Sequence, residues 1–274
     1  MMCEELEISR DSYYKWKKVK DKTNIYLEYR KEFYGEFINI YLLSNKTAGY
    51  RQIRDQINYK GERYISEYMA YIIKCKDLKL PEIRKKRNLG KYRTRENINE
   101  EYFRYDNIAE NMEITDINQV LSTDTTECKL KIDGKQHVSF IVDAFSGEVL
   151  VSSINDKLNN YFISYNLELL KKTNYELSKM IIHSDRGSMY KSGIYKTKTT
   201  DMNLIPSMSA AFTSTHNPWI ETINGQFKDF IKSDKPETVD ELQIALSKFV
   251  YYNNNIKIKR KLKTTPIDYR HRFS

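Results

Sequence analysis

Residues 118–144 read NQVLSTDTTECKLKIDGKQHVSFIVDA, and their spacing decides the fold class. Upstream of them apolar residues recur every three to four positions. From residue 117 they recur every two, the period of strands whose successive side chains face opposite sides of a sheet. Strand segments are expected at 118–125, 129–133 and 136–144. Asp133-Gly134 between the last two is a two-residue hairpin signal, because such a turn needs residues that tolerate positive φ. Ser146-Gly147 turns the chain into a fourth run, 148–154.

Downstream, the pattern predicts an amphipathic helix over 158–173 and short apolar strands at 179–183 and 203–207. Helices follow over 217–232 and 238–252, the second opened by Thr238 and Glu241 in capping-box spacing. A strand meander followed by alternating helices and strands makes an α/β, mixed sheet covered on both faces. That order suits a ribonuclease-H-like core over residues 112–274.

Upstream, the reading is helical. Ser9 is a candidate N-cap for a helix over 10–18 bearing Tyr13, Tyr14 and Trp16. Residues 1–20 are expected to be part of a helix-turn-helix whose other helix would precede the chain. A second helix is expected over 24–43. Thr47 is then expected to cap a helix with Ile53 and Ile57 inward and Arg51 and Arg54 outward. Gly61 breaks the chain and Ser66 starts a helix over 67–78. Short helices joined by a Gly-containing turn make 21–80 a helix-turn-helix-like candidate for DNA binding. Residues 84–95 carry seven basic side chains, Arg84, Lys85, Lys86 and Arg87 among them, which cannot bury themselves. Residues 81–111 are expected to be a linker that tracks phosphates.

Charge divides the same way. The chain of 274 residues has a net charge of +9, of which residues 1–95 carry +10 and residues 96–274 carry −1. A basic front joined to a near-neutral module fits a polyanion partner at the front. With 40% hydrophobic and 30% charged residues the chain is too apolar for a disordered protein and too polar for a membrane protein. No apolar run approaches the roughly 20 residues of a membrane span. The first residues show no basic and apolar pattern of a signal peptide. Cys3, Cys75 and Cys128 lie far apart, which argues against a disulfide framework or zinc ribbon and for a reducing cytoplasm.

Three carboxylates stand out by position: Asp124 in the first core strand, Asp185 just past the strand at 179–183, and Glu221 in the first turns of the 217–232 helix. Strand ends and a facing helix can bring such groups to one sheet edge. Like charges there raise one another's pKa, and a divalent cation relieves the repulsion. Oxygen ligands suit magnesium or manganese. Two such ions, about 3.5–4 Å apart, can serve the attacking and leaving oxygens of a phosphodiester. Spacing alone does not choose these three from 37 acidic residues.

The motifs do. Residues 185 and 221 enclose 35 residues, and Lys228 follows Glu221 by seven. This resembles the D,D(35)E arrangement, with its trailing Lys, of retroviral integrases and bacterial insertion-sequence transposases. Ser122-Thr-Asp124-Thr-Thr-Glu127, Phe140-Ile-Val-Asp143-Ala-Phe-Ser-Gly147, His183-Ser-Asp185-Arg-Gly-Ser-Met-Tyr190 and Glu221-Thr-Ile-Asn-Gly-Gln-Phe-Lys228 resemble the core motifs in order. Phe249 to Asn254 with Thr265-Pro266 resembles the C-terminal signature. Ala48-Gly-Tyr-Arg-Gln-Ile53 resembles the helix-turn-helix of the OrfB protein of two-frame insertion sequences.

The resemblance implies a transposase that frees a 3′-OH at an element end and joins it to a second phosphodiester. It implies that Asp124, Asp185 and Glu221 are the catalytic residues and hold Mg2+ or Mn2+, as two ions. Lys228 would contact DNA, and Asn217 would cap the Glu221 helix or touch substrate. The partners implied are terminal inverted repeats, target DNA, further copies of the chain and the product of an upstream reading frame, sometimes as a frameshift fusion. Two departures stand out. His216-Asn217-Pro218 replaces the usual Asp-Asn-Ala, and Leu121-Ser122-Thr123 replaces the usual Trp before the first Asp. They keep two alternatives open: a decayed, non-catalytic DNA-binding relative, and a structure-selective nuclease on the same fold. His183 reads as a packed strand-end residue and Asp143 as a turn residue.

Overall fold

The computed structural model describes residues 8–61, 63–81, 105–173, 175–209 and 217–272, with the backbone alone at 20–24 and 111. The chain divides into two compact units, Met1–Leu43 with Ala48–Glu82, and Ser44–Thr47 with Ile83–Ser274.

The first unit is helical: α1 (Arg10–Lys31), α2 (Tyr34–Leu43), α3 (Tyr50–Tyr59) and α4 (Glu67–Tyr71), the last continued by a π turn, Ile72–Asp77. Ser9 caps α1 by accepting the Ser12 N–H at 3.1 Å. The expected break near residue 20 is absent. Residues 19–23 hold no Gly or Pro, so the helix runs on to Lys31, where Arg30 meets Asp77 at 2.7 Å. The chain turns instead at Phe33, which is buried with Phe37, Ile40, Ile53, Ile57, Ile65 and Ile73 in one core. Thr47 does not cap α3. Its hydroxyl donates to the Ser44 carbonyl at 2.6 Å, and Gly49 takes the cap position. Ser66 does cap α4, accepting from the Met69 N–H.

The second unit holds a five-stranded sheet in the order β3-β2-β1-β4-β5. Its strands are β1 (Val120–Lys129), β2 (Lys135–Asp143), β3 (Val149–Asn155), β4 (Ile181–Ser184) and β5 (Ile205–Met208). The first three are antiparallel neighbours, while β4 pairs parallel with β1, and β5 parallel with β4. Residues 129–133 form no strand of their own. The β-favourable Thr125-Thr126 carries β1 unbroken to Lys129, and the turn at Gly134 (φ +69°) follows at once.

The helices are α5 (Asn160–Lys171), α6 (Gly193–Asp201), α7 (Pro218–Asp234), α8 (Val239–Tyr251) and α9 (Pro266–His271). One face of the sheet packs Val138, Phe140 and Val142 against Ile220, Ile223 and Phe227 of α7 and Leu242, Leu246 and Phe249 of α8. The other packs Leu121, Ile141 and Val151 against Ile163 and Leu167 of α5 and Tyr195 of α6. With both faces covered, β2 is buried along almost its whole length. The expected linker ends early. The Met208 N–H bonds the Asp106 carbonyl at 3.2 Å, Ser207 Oγ accepts from the Ile108 N–H at 3.0 Å, and Ala109 is buried. Residues 105–111 therefore join the sheet unit, because Ala109 buries with Val120, Ala144 and Ile181 and β5 offers an open edge.

Candidate active site

Strand register brings two of the carboxylates together. β1 and β4 pair as far as Ser122 with His183, and Asp124 and Asp185 each follow that last pair by two residues. Adjacent strands lie about 4.8 Å apart. Asp185 follows the end of β4, where the ladder stops and the chain opens outward. Glu221 lies in the first turn of α7, which begins with Pro218. Pro is suited to the first helical position, since the N–H it lacks has no partner there.

Electrostatics ties the three together. Burial first, and then the charges of Asp185 and Glu221, raise the Asp124 carboxyl to about 7. The Thr125 backbone N–H and the charge of Lys228 oppose them. Burial also raises Asp185, against the Gly187 backbone N–H and Lys191. The Gly187 N–H donates to Asp185 Oδ1 at 2.9 Å, and a Cβ on Gly187 would lie 3.0 Å from that oxygen. Among the described residues no group of three His, Cys, Asp or Glu is closed into a metal-binding cluster. The donor set is nonetheless that of a hard cation: oxygen ligands only, one of them hard to ionise until a positive charge offsets its neighbours.

Asn224 was not singled out by sequence. Its Nδ2 donates to Asp124 Oδ2 at 2.9 Å. Three residues past Glu221, it shares that residue's helix face, and this spacing was the available signal. Lys228 is exposed on the same face, close enough to lower Asp124.

The other expected contacts fall elsewhere. Asn217 does not cap α7 with its side chain. It is buried, accepts from the Ser122 hydroxyl and reaches the Thr123 carbonyl at 3.5 Å, so it fastens α7 to β1. His183 is fully buried between the hydroxyls of Ser207 and Ser209, at 3.0 and 3.2 Å, with its ring edge-on to Trp219. It is a packed residue, as expected. Asp143 accepts from the Ser146 N–H and hydroxyl and from the Asn118 N–H, the partners of a turn residue. In the first unit Arg51 is exposed and Arg54 half-buried, and both pair with Glu67, at 2.5 and 2.8 Å. Arg84, Lys85, Lys86, Arg87 and His216 lie outside the described residues.

A 3-2-1-4-5 mixed sheet with its first three strands antiparallel and acidic residues at β1, β4 and a facing helix defines a ribonuclease-H-like core of the kind that processes nucleic acids. Residues 115–214 match the integrase core domain family. A transposase-like protein of Haemophilus influenzae is 28% identical over 160 residues, 57% of this chain and 72% of its own length. The putative transposase InsK of insertion element IS150 from Escherichia coli K12 is 25% identical over 271 residues, 96% of this chain and 90% of its own. The HTLV-2 integrase catalytic core, solved in complex with magnesium, has a TM-score of 0.45 and 22% identity over 56% of this chain and 95% of its own. Residues 115–214 are thus similar to the integrase core domain, and nearly the whole chain is similar to an insertion-sequence transposase.

Proposed function

We propose that the chain cuts and joins DNA at the ends of a bacterial insertion sequence, using Asp124, Asp185 and Glu221 with divalent cations. The observation that carries this reading is the Asp124 carboxyl, two residues past the last β1–β4 pair as Asp185 is, and raised by burial and by the charges of Asp185 and Glu221. Burying like charges together costs stability, and a fold keeps such a cost where chemistry uses it. The three carboxylates would hold Mg2+ or Mn2+, as two ions. Bound there, the ions would stabilise charge on the attacking and leaving oxygens of a phosphodiester.

The chain's own groups do the rest. Asn224 orients Asp124, and the Gly187 N–H orients Asp185. Lys228, exposed beside them, holds a DNA phosphate. Water first cleaves one strand at the element end and leaves a 3′-OH. That hydroxyl then displaces a 3′-oxygen at a second phosphodiester, so one bond forms as another breaks. The helical unit and the basic run at 84–95 bind terminal repeats and target DNA. Copies of the chain assemble on the two ends, together with the product of an upstream frame. The work is done in the bacterial cytoplasm at the nucleoid. Among the described residues no helix is long and apolar enough to cross a membrane. The test is strand transfer with labelled element ends and magnesium or manganese. Joined product supports the reading, cleavage without joining favours a nuclease, and binding without cleavage favours a decayed relative.

A further inference from the structure

The near-zero charge of residues 96–274 hides a local excess. Between Glu241 and Asp268 the chain has six Lys or Arg and no acidic residue. Five of the six, Lys257, Lys259, Arg260, Lys261 and Lys263, fall within one short loop between the π turn Tyr252–Ile256 and α9. None belongs to the carboxylate site.

The loop is built, not slack. The Lys259 N–H bonds the Thr264 carbonyl at 2.9 Å, and the Leu262 and Lys263 N–H groups bond the Lys259 carbonyl at 3.0 and 2.8 Å. Lys263 takes φ +56° to close the turn. Ile258, Leu262, Thr264 and Thr265 are buried and anchor it. The Lys259 ammonium turns inward to Asn253 Oδ1 at 2.8 Å, and Lys257 reaches Gln226 of α7 at 2.5 Å. Lys261 sits over the Phe145 ring at 3.9 Å. Arg260, Lys261 and Lys263 remain exposed, on a backbone that holds them in place.

We propose that Arg260, Lys261 and Lys263 form a second phosphate-binding surface of the core, which grips the backbone of duplex DNA without reading its sequence. The inference rests on the DNA-processing role proposed above. Fixed cations lose little freedom on binding, whereas a flexible basic tail loses much. The position suits one duplex spanning both places. Phe145 follows the end of β2, where Asp143 pairs with Leu121, three residues along from the pairing of Asp124 with Phe140. Phe145 is thus five residues from Phe140, at most about 17 Å along the chain, inside one turn of B-DNA at about 34 Å.

The test uses the full chain and a random-sequence duplex. Its affinity is measured from 50 to 200 mM salt for the parent and for the variant Arg260→Gln, Lys261→Gln, Lys263→Asn, where Asn tolerates the positive φ. Each lost phosphate contact removes about 0.9 from the slope of log affinity against log salt. The variant is expected to lose about 2 to 3 from that slope and to melt at the parent's temperature. The charge-keeping pair Arg260→Lys, Lys261→Arg is expected to keep the parent slope, which guards against loss of fold. A parental slope in the triple variant overturns this surface and leaves the functional reading standing. A parent chain that binds no duplex overturns both.

Discussion

In the proposed site, Asp124 trades stability for chemistry. Its carboxyl is raised from the ordinary 3.8 to about 7 by burial and by two negative neighbours. Between those values the folded chain binds more protons than the unfolded one, so stability falls as pH rises. The cost is absent below about pH 4 and complete above pH 7, and corresponds to about 4 kcal/mol at most. Asp124→Asn removes it. In metal-free protein that variant is expected to melt higher than the parent at pH 8 and nearly with it at pH 4, while cleavage is lost. Thermal melts at the two pH values check this, and equal differences at both would oppose it. Gly187 gives a second residue-scale expectation. A methyl 3.0 Å from Asp185 Oδ1 is tighter than ordinary contact and makes that carboxylate give by a few tenths of an ångström. Gly187→Ala is expected to lower cleavage by about tenfold or more, as misplacement of a catalytic group does. Duplex binding, read by gel shift, is expected to stay unchanged.

At the scale of elements, α9 and α7 are each held by buried polar ties. Arg270 of α9 meets Glu148 at 2.5 Å, donates to Asn118 Oδ1 at 2.6 Å and lies over the Tyr175 ring at 4.3 Å. Burial pushes Glu148 up, and Arg270 and Tyr175 pull it down. Removing one partner strands the other charge, so Arg270→Ala is expected to cost about 3–5 kcal/mol in urea denaturation. Asn217→Ala breaks the tie from α7 to Ser122 and is expected to cost about 1–3 kcal/mol. Most of the strands are legible because the apolar spacing shortens from three or four to about two near residue 117, and α7 because its apolar residues recur at helical spacing. α6 was not, since GIYKTKTTD has a weak apolar stripe and three Thr. The unbroken α1 is not legible because the polar residues at 20–24 read as a gap, whereas the helix runs through them. Asp124, Asp185 and Glu221 were chosen by motif spacing. The tie from Asn224 was not chosen, because it depends on the facing of α7 and β1, which one sequence does not display.

Across the whole molecule, the proposed function divides binding from chemistry along the charge pattern. The excess charge lies before residue 96, most of it in the basic run at 84–95, and Asp124, Asp185 and Glu221 all lie after it. Binding and chemistry should therefore separate by mutation. Glu221→Gln keeps the size of the side chain and removes its charge. The most direct measurement is strand transfer by purified Glu221→Gln protein on labelled element ends with magnesium or manganese, beside duplex binding of the same sample. The expected result is binding like the parent, with cleavage and joining both lost. Asp124→Asn and Asp185→Asn are expected to do the same, and pairs of them to cost little more, since groups of one site act as a unit. Robust joining by the Glu221→Gln protein would contradict the three-carboxylate site.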